Sequence, residues 1–310
     1  MPTLHSTSGR WRLGLGLSLA TVGFWATLPI ALKISLQQID AWTLTWIRFV
    51  VAALIVGGWI VVSGRWRGFV GLGKGTWLLL IVASVGLIGN YLSYLTGLAR
   101  ISPGNAQILI QSAPLLLALG SVLIFKEQLQ RAQGAGFAII VIGLLLFYFE
   151  QRGRAGDAQT YGVGALLIGL GALLWAIYAL AQKQLLGHFK PQQVMGFIYV
   201  VAAIALIPTA TPTALANIDG WHWLAIAYCS FNTLGAYGCF AEALNHWEAS
   251  RVSAILALTP MSTLAFGAAL ALAFPGQVPV EQIGWLGAAG AVLVVSGSMI
   301  ASLGVRGKKG

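Results

Sequence analysis

At 310 residues, 58% of them hydrophobic and only 8% charged, the chain carries far less charge than the roughly 25% of an ordinary soluble domain, and a soluble fold of this size has no interior able to hide so much apolar surface. The formal charge of +10 does not point to nucleic acid, because the basic residues are scattered between apolar runs instead of gathered into a stripe with stacking aromatics. Disorder would need low hydrophobicity, so the bilayer is the natural solvent.

Crossing the hydrocarbon takes roughly 20 apolar residues per helix, and ten segments qualify. The first, Leu13 to Leu32, is long and has no clear small-residue cleavage site after it, so it reads as a span and not as a removable signal. It carries Trp25 and Pro29. The second, Ala41 to Ser63, contains Arg48; the third, Thr76 to Leu98, contains Asn90, Tyr91 and Tyr94. The fourth, Asn105 to Phe125, places Gln107 and Gln111 one turn apart on one face, with Pro114 beyond them. A short fifth, Gly134 to Phe149, is followed by Gly162 to Leu180 with Trp175 and a short seventh, Val194 to Ala210. Trp223 to Leu244 holds Asn232, Tyr237 and Glu242; Ser253 to Phe274 holds Pro260; Gly284 to Leu303 is the last. Each must be helical, since lipid offers no partner to a free backbone amide.

Loop charge orients these spans. Thirteen of the eighteen Lys and Arg residues fall on one side, among them Arg10, Arg65, Lys126, Lys183 and Arg251. Lys33, Arg100, Arg152 and Arg154 fall on the other, and Arg48 lies within a span. The positive-inside rule then puts both termini in the cytoplasm, and an inner-membrane, multi-pass protein is expected.

The second half repeats the first. An offset of 150 carries Gly14, Trp25, Lys33 and Gly134 onto Gly164, Trp175, Lys183 and Gly284, and an offset of 146 carries Gly89, Tyr91 and Pro114 onto Gly235, Tyr237 and Pro260. Residues 1–150 and 151–310 thus form two five-helix units. Five is odd, so the second enters from the opposite face and the repeats are inverted, an arrangement typical of secondary transporters. The expected fold is all-α and integral to the membrane, with ten transmembrane helices in two inverted repeats.

These residues carry a family resemblance over nearly the whole chain, from about Leu13 to Leu303. "FWATLPIALK" around Trp25, the Arg48-Phe49 pair, "ARISPGNAQILIQSAPLLLALGSVLIFKEQL" and the matching "EASRVSAILALTPMSTLAFGAALA" together resemble the drug/metabolite transporter superfamily in its EamA-type ten-helix branch. The resemblance implies a carrier of small organic solutes. It also implies a carboxylate after the fourth and ninth spans; Glu127 fits the first place, while Gln277 departs from the second.

Several residues have both a functional and a structural reading. Trp25 and Trp175 lie near the middle of their spans, where indoles line a cavity or simply pack. Pro29, Pro114 and Pro260 each remove a helical hydrogen bond, leaving a carbonyl for substrate or a gating flexure, or else a static kink. Asn90, Tyr91, Tyr94, Gln107, Gln111, Asn232 and Tyr237 line a solute path or bond between helices. Arg48 and Glu242 have a charge or proton role, or they snorkel from spans they enter only a short way.

Chemistry of other kinds is excluded. Gly68 to Lys74 spells GxxxxGK, but Gly75 replaces the magnesium-binding Ser or Thr and no strand precedes it. No HExxH helix or GxSxG elbow is present, and Cys229 and Cys239 share one apolar run. The chain is therefore expected to be no enzyme, to need no metal or cofactor and to bind no nucleic acid. Its partners are the bilayer and a small molecule that it is expected to export by alternating access, with amino acids, aromatic ones favoured, as the leading class. A carrier for cationic drugs and a channel or sensor are the alternatives. A monomer is compatible with each of them, and the sequence does not fix the oligomeric state.

Overall fold

The computed structural model describes residues 9–126, 128–276, 278 and 281–303. Glu127, Gln277 and the side chain of Tyr237 lie outside the described residues. All regular structure among the described residues is helical. The helices are α1 (Trp11–Ser35), α2 (Ala41–Val62, with a π turn at Ala53–Gly57), α3 (Lys74–Leu98) and α4 (Pro103–Leu109 continuing as Ala113–Phe125). There follow α5 (Arg131–Arg154), α6 (Ala158–Leu185), α7 (Pro191–Ala205), α8 (Gly220–His246), α9 (Ala249–Leu256 continuing as Thr259–Ala273) and α10 (Trp285–Leu303).

Eight of these, all but α7 and α8, are long and apolar enough to cross a membrane. The α7 helix has only 15 residues, and α8, with 27, is diluted by Asn232, Thr233 and its tyrosines. The short fifth span grows at both ends, because α5 runs on to Arg154. The repeat boundary drawn at residue 150 thus falls inside α5, and the nearest non-helical residues are Ala155 to Asp157. Outward-facing side chains are apolar, with Val62 90% and Leu272 83% exposed. Water would not tolerate such a surface on a monomer, and acyl chains would.

Acidic caps explain where several helices start. Asp40 accepts from the amides of Trp42 and Thr43, Asp157 from those of Gln159 and Thr160, and Asp219 from that of His222, each satisfying orphan donors and facing the positive helix end. Ser102 does the same for α4 through Asn105. Bonds from the backbone and ring of His222 hold the Asp219 carboxyl down to about 2. Partial burial opposes ionisation of Asp40, yet the bonds from Thr43, Thr211 and Trp42 keep it below the ordinary carboxylate value. A depressed folded pKa means stability that is present above the unfolded value, near 4, and lost as pH falls. Asp40→Ala should therefore cost about 1 kcal/mol at neutral pH. Thermal unfolding in detergent checks this, with the gap to the parent protein closing below about pH 4.

The packing follows a pattern. The most extensive helix pairs are α5 with α10, α3 with α6, and α1 with α8; then come α4 with α6, α1 with α9, α2 with α7, α9 with α10, α4 with α9 and α2 with α8. Small residues allow the closest approaches. A side-chain carbon at Gly143 would meet the Gly290 carbonyl at 2.7 Å, one at Gly290 would meet the Gly143 carbonyl at 2.7 Å, and Gly136 and Gly297 face each other likewise at 2.6 Å. Contact this tight joins helices in lipid by van der Waals packing, where no hydrophobic force drives them together.

Candidate functional site

The polar centre of the bundle lies where α2 packs against α3 and α8. Arg48 projects from α2 and is 4% exposed. Its position seven residues into the helix would have allowed snorkelling, but the side chain turns inward, because the bundle offers it a hydroxyl and an aromatic face. Its Nη2 donates to Thr233 Oγ1 of α8 at 2.9 Å, and its Cζ stands 4.6 Å from the ring centre of Tyr91 on α3. Phe49 holds that ring at 4.7 Å. The buried Nε has no acceptor, and among the described residues Arg48 joins no ion pair.

Around this cation the structure gathers several residues singled out in the sequence. Tyr94, one turn beyond Tyr91, donates a long 3.4 Å bond to Gln107 of α4. Asn232, next to Thr233, donates from Nδ2 to the Phe24 carbonyl at 2.8 Å and to the Tyr228 hydroxyl at 2.9 Å, while its buried Oδ1 accepts nothing. Tyr91, Tyr94 and Gln107 are half-buried. Asn90 is spent on a bond between helices, donating to the Gly171 carbonyl of α6 at 2.9 Å. Gln111 falls in the 3-10 turn Ile110–Ser112 of α4.

The tryptophans have separate apolar neighbours. Trp25 lies 5.7 Å from Phe240 of α8, and Trp175 rests on the cluster of Leu80, Ala83, Leu87 and Tyr178. The prolines differ among themselves. Pro29 is accommodated inside α1, whereas Pro114 and Pro260 each stand in the first turn of a restarted helix. The carbonyls they free are occupied: Ile110 accepts from the Ala113 amide and Leu256 from the Thr259 hydroxyl at 2.6 Å. Glu242 is exposed near the end of α8 and pairs with His246 at 3.0 Å.

Sequence reasoning missed Thr233, Tyr228 and Thr27, the last two joined by a hydrogen bond. The signal was the arginine itself, since an internal charge obliges polar neighbours on adjacent helices. A second polar cluster also escaped notice. At the end of the bundle capped by the aspartates, Lys33, Arg100, Asn105, Gln151, Tyr161 and Glu281 line a cleft of about 380 Å³. Lys33 is no free loop charge there, for its Nζ donates to the carbonyls of Leu98, Ala99 and Ile101, closing α3.

A model of the EamA-like transporter family matches residues 12–149 and, a second time, 162–303. The chain belongs to the EamA-like transporter family. Among similar EamA-like proteins, the uncharacterized inner membrane transporter YhbE of Escherichia coli is 34% identical over 296 residues, 95% of this chain and 92% of that one. An uncharacterized transporter of Haemophilus influenzae is 32% identical over 94% of this chain and 95% of its own length. The aromatic amino acid exporter YddG of Ancylobacter novellus is 25% identical over 68% and 72% respectively. One crystal structure, 20% identical, matches with a TM-score of 0.63 over 96% of this chain and 98% of its own, a likeness of fold. In this EamA-like chain Glu281, four residues after Gln277, is the described carboxylate of the α9 to α10 link; it accepts from the Gly104 amide at 2.7 Å and from the Ser102 hydroxyl.

Proposed function

We propose that this chain is a secondary transporter that exports small organic metabolites by alternating access, with ten spans in two inverted five-helix repeats joined at Ala155 to Asp157, and both termini in the cytoplasm. The observation that carries the reading is the exchange symmetry of the packing. Renaming each helix by its counterpart five places along turns α1 with α8 into α6 with α3, turns α1 with α9 into α6 with α4, and returns the pairs of α5 with α10, α2 with α7 and α4 with α9 to themselves. Halves that share one set of contacts can trade conformations, opening a midplane site to either face. The two family matches, which begin 150 residues apart, support the same duplication.

Amino acids, aromatic ones favoured, are the leading cargo. The activity named for the distant exporter supports this class, as do Tyr91, Tyr94 and Phe49 at the polar centre, which suit an aromatic ring. Facilitated diffusion is the preferred coupling, since no acidic residue lies midway along a span; proton exchange is the runner-up. Two measurements test the proposal. Purified protein in liposomes should exchange radiolabelled amino acids, with little change when a pH gradient is imposed; a panel in which none moves faster than in empty liposomes would remove the substrate class. A reporter active only in the periplasm, fused after Gly310, should stay silent, and activity there would overturn the orientation.

A further inference from the structure

We propose that Arg48 is the receptor for a carboxylate on the transported solute, a reading that rests on the chain being a carrier and narrows its cargo to carboxylate-bearing molecules. A guanidinium offers five N–H donors in a planar fork. Removing such a cation from water is costly unless its charge and its donors are met. In this fold they are met only in part. Thr233 supplies one neutral acceptor at 2.9 Å, and Tyr91 supplies a ring face 4.6 Å away, a cation–π contact. Nε has no acceptor, and among the described residues no carboxylate pairs with the group.

A purely structural arginine in this setting would be expected to have an acidic partner on a neighbouring helix. What surrounds this one instead is neutral. A hydroxyl acceptor is readily exchanged for a carboxylate, which accepts two parallel N–H bonds from the fork and roughly doubles the strength of each. Tyr91, Tyr94 and Gln107, on α3 and α4, are half-buried and not fully sealed in the core. Asn232 has the opposite imbalance one residue from Thr233, a buried Oδ1 that accepts nothing. Its amide is turned toward α1, donating to the Phe24 carbonyl at 2.8 Å. A cationic drug would meet a like charge at Arg48.

The test compares phenylalanine, phenylalaninamide, phenethylamine and 3-phenylpropionate as ligands that raise the unfolding temperature of the purified protein and compete in liposome exchange. The two compounds with a carboxylate should bind the wild type at least tenfold more tightly than the two without. R48Q should abolish that preference, and R48K, which keeps charge but not the fork, should retain part of it. Equal binding of acid and amide to the wild type, a preference that survives in R48Q, or no binding by either carboxylate would overturn the assignment. If R48Q does not fold, the wild-type comparison of acid with amide decides alone. The two proposals can fail separately. Arg48-dependent binding of 3-phenylpropionate without phenylalanine exchange would sink the amino-acid reading and keep the carboxylate receptor; phenylalanine exchange blocked equally by the amide would do the reverse.

Discussion

Gly290→Val should destabilise the protein more than any substitution on its lipid-facing surface, and Gly143→Val should do the same from the facing helix. At either position the added carbon meets backbone and not a side chain that can swing away: at Gly290 the Gly143 carbonyl at 2.7 Å and the Phe147 amide at 2.8 Å, at Gly143 the Gly290 carbonyl at 2.7 Å and the Val294 amide at 2.8 Å. Backbone gives way only if the two helices separate, and separation costs the contacts along their whole length. Overpacking a well-filled core costs about 1–3 kcal/mol, occasionally more, and two rigid obstacles place these variants at the upper end. Gly23→Ala is the control. Its site has nothing within 4 Å, so removing a helical glycine there should stabilise by about 0.5–1 kcal/mol. Thermal unfolding in detergent separates the cases; a Gly290→Val protein as stable as the parent would mean that α5 and α10 do not cross where described.

The second large effect is expected at Asn105, 4% exposed at the start of α4. Its amide is shared three ways: Oδ1 accepts from the Tyr161 hydroxyl of α6 at 2.9 Å, and Nδ2 donates to Ser102 at 2.7 Å and to Gln151 of α5 at 3.1 Å. Gln151 in turn donates to Glu150 and to the Gln282 carbonyl, and Ser102 to Glu281. The network joins α4 and α5 to α6 and to the segment before α10, so it ties the first half of the chain to the second. Asn105→Ala leaves buried partners unpaired at about 1–3 kcal/mol each. On the proposed orientation this end faces outward, so the variant should favour states open to the outside as well as unfold earlier. Faster labelling of a cysteine at Tyr91 by an impermeant thiol reagent added from outside would report the shift, and unchanged labelling and stability would show that the network holds nothing closed.

Legibility in the sequence depended on how far a feature is set by the chain alone. The long apolar helices were readable because lipid permits one backbone solution per segment, and the paired helix breaks because Pro114 and Pro260 cannot continue a hydrogen-bond ladder. The extent of α5 was not, since a polar end carrying Glu150, Gln151 and Arg154 depresses hydropathy without breaking the helix. The centre was half readable. Arg48, Tyr91, Tyr94, Asn232 and Gln107 were singled out by their polarity inside apolar runs, but which of them share a contact depends on how α2, α3, α4 and α8 rotate against one another, and no local pattern encodes rotation. Hence Asn90 turned out to be engaged by a backbone carbonyl, and Thr233, a residue unremarkable by itself, became the arginine's partner.

If two inverted halves exchange conformations about a midplane site, as proposed, the positions of two tyrosines allow that exchange to be followed. Tyr91 lies seventeen residues beyond the first residue of α3, Lys74, and Tyr237 seventeen beyond that of α8, Gly220. At 1.5 Å per residue both are about 25 Å along helices that start, in the proposed topology, on opposite faces. One is therefore nearer the outer surface and the other nearer the inner. Cysteines introduced at each position, in a protein lacking Cys229 and Cys239, can be labelled by an impermeant thiol reagent from either side, with and without an exchanged amino acid. Alternating access requires that exposure at Tyr91 from outside rises as exposure at Tyr237 from inside falls, and that substrate shifts both in opposite directions; two positions whose labelling never changes, or changes together, would contradict it.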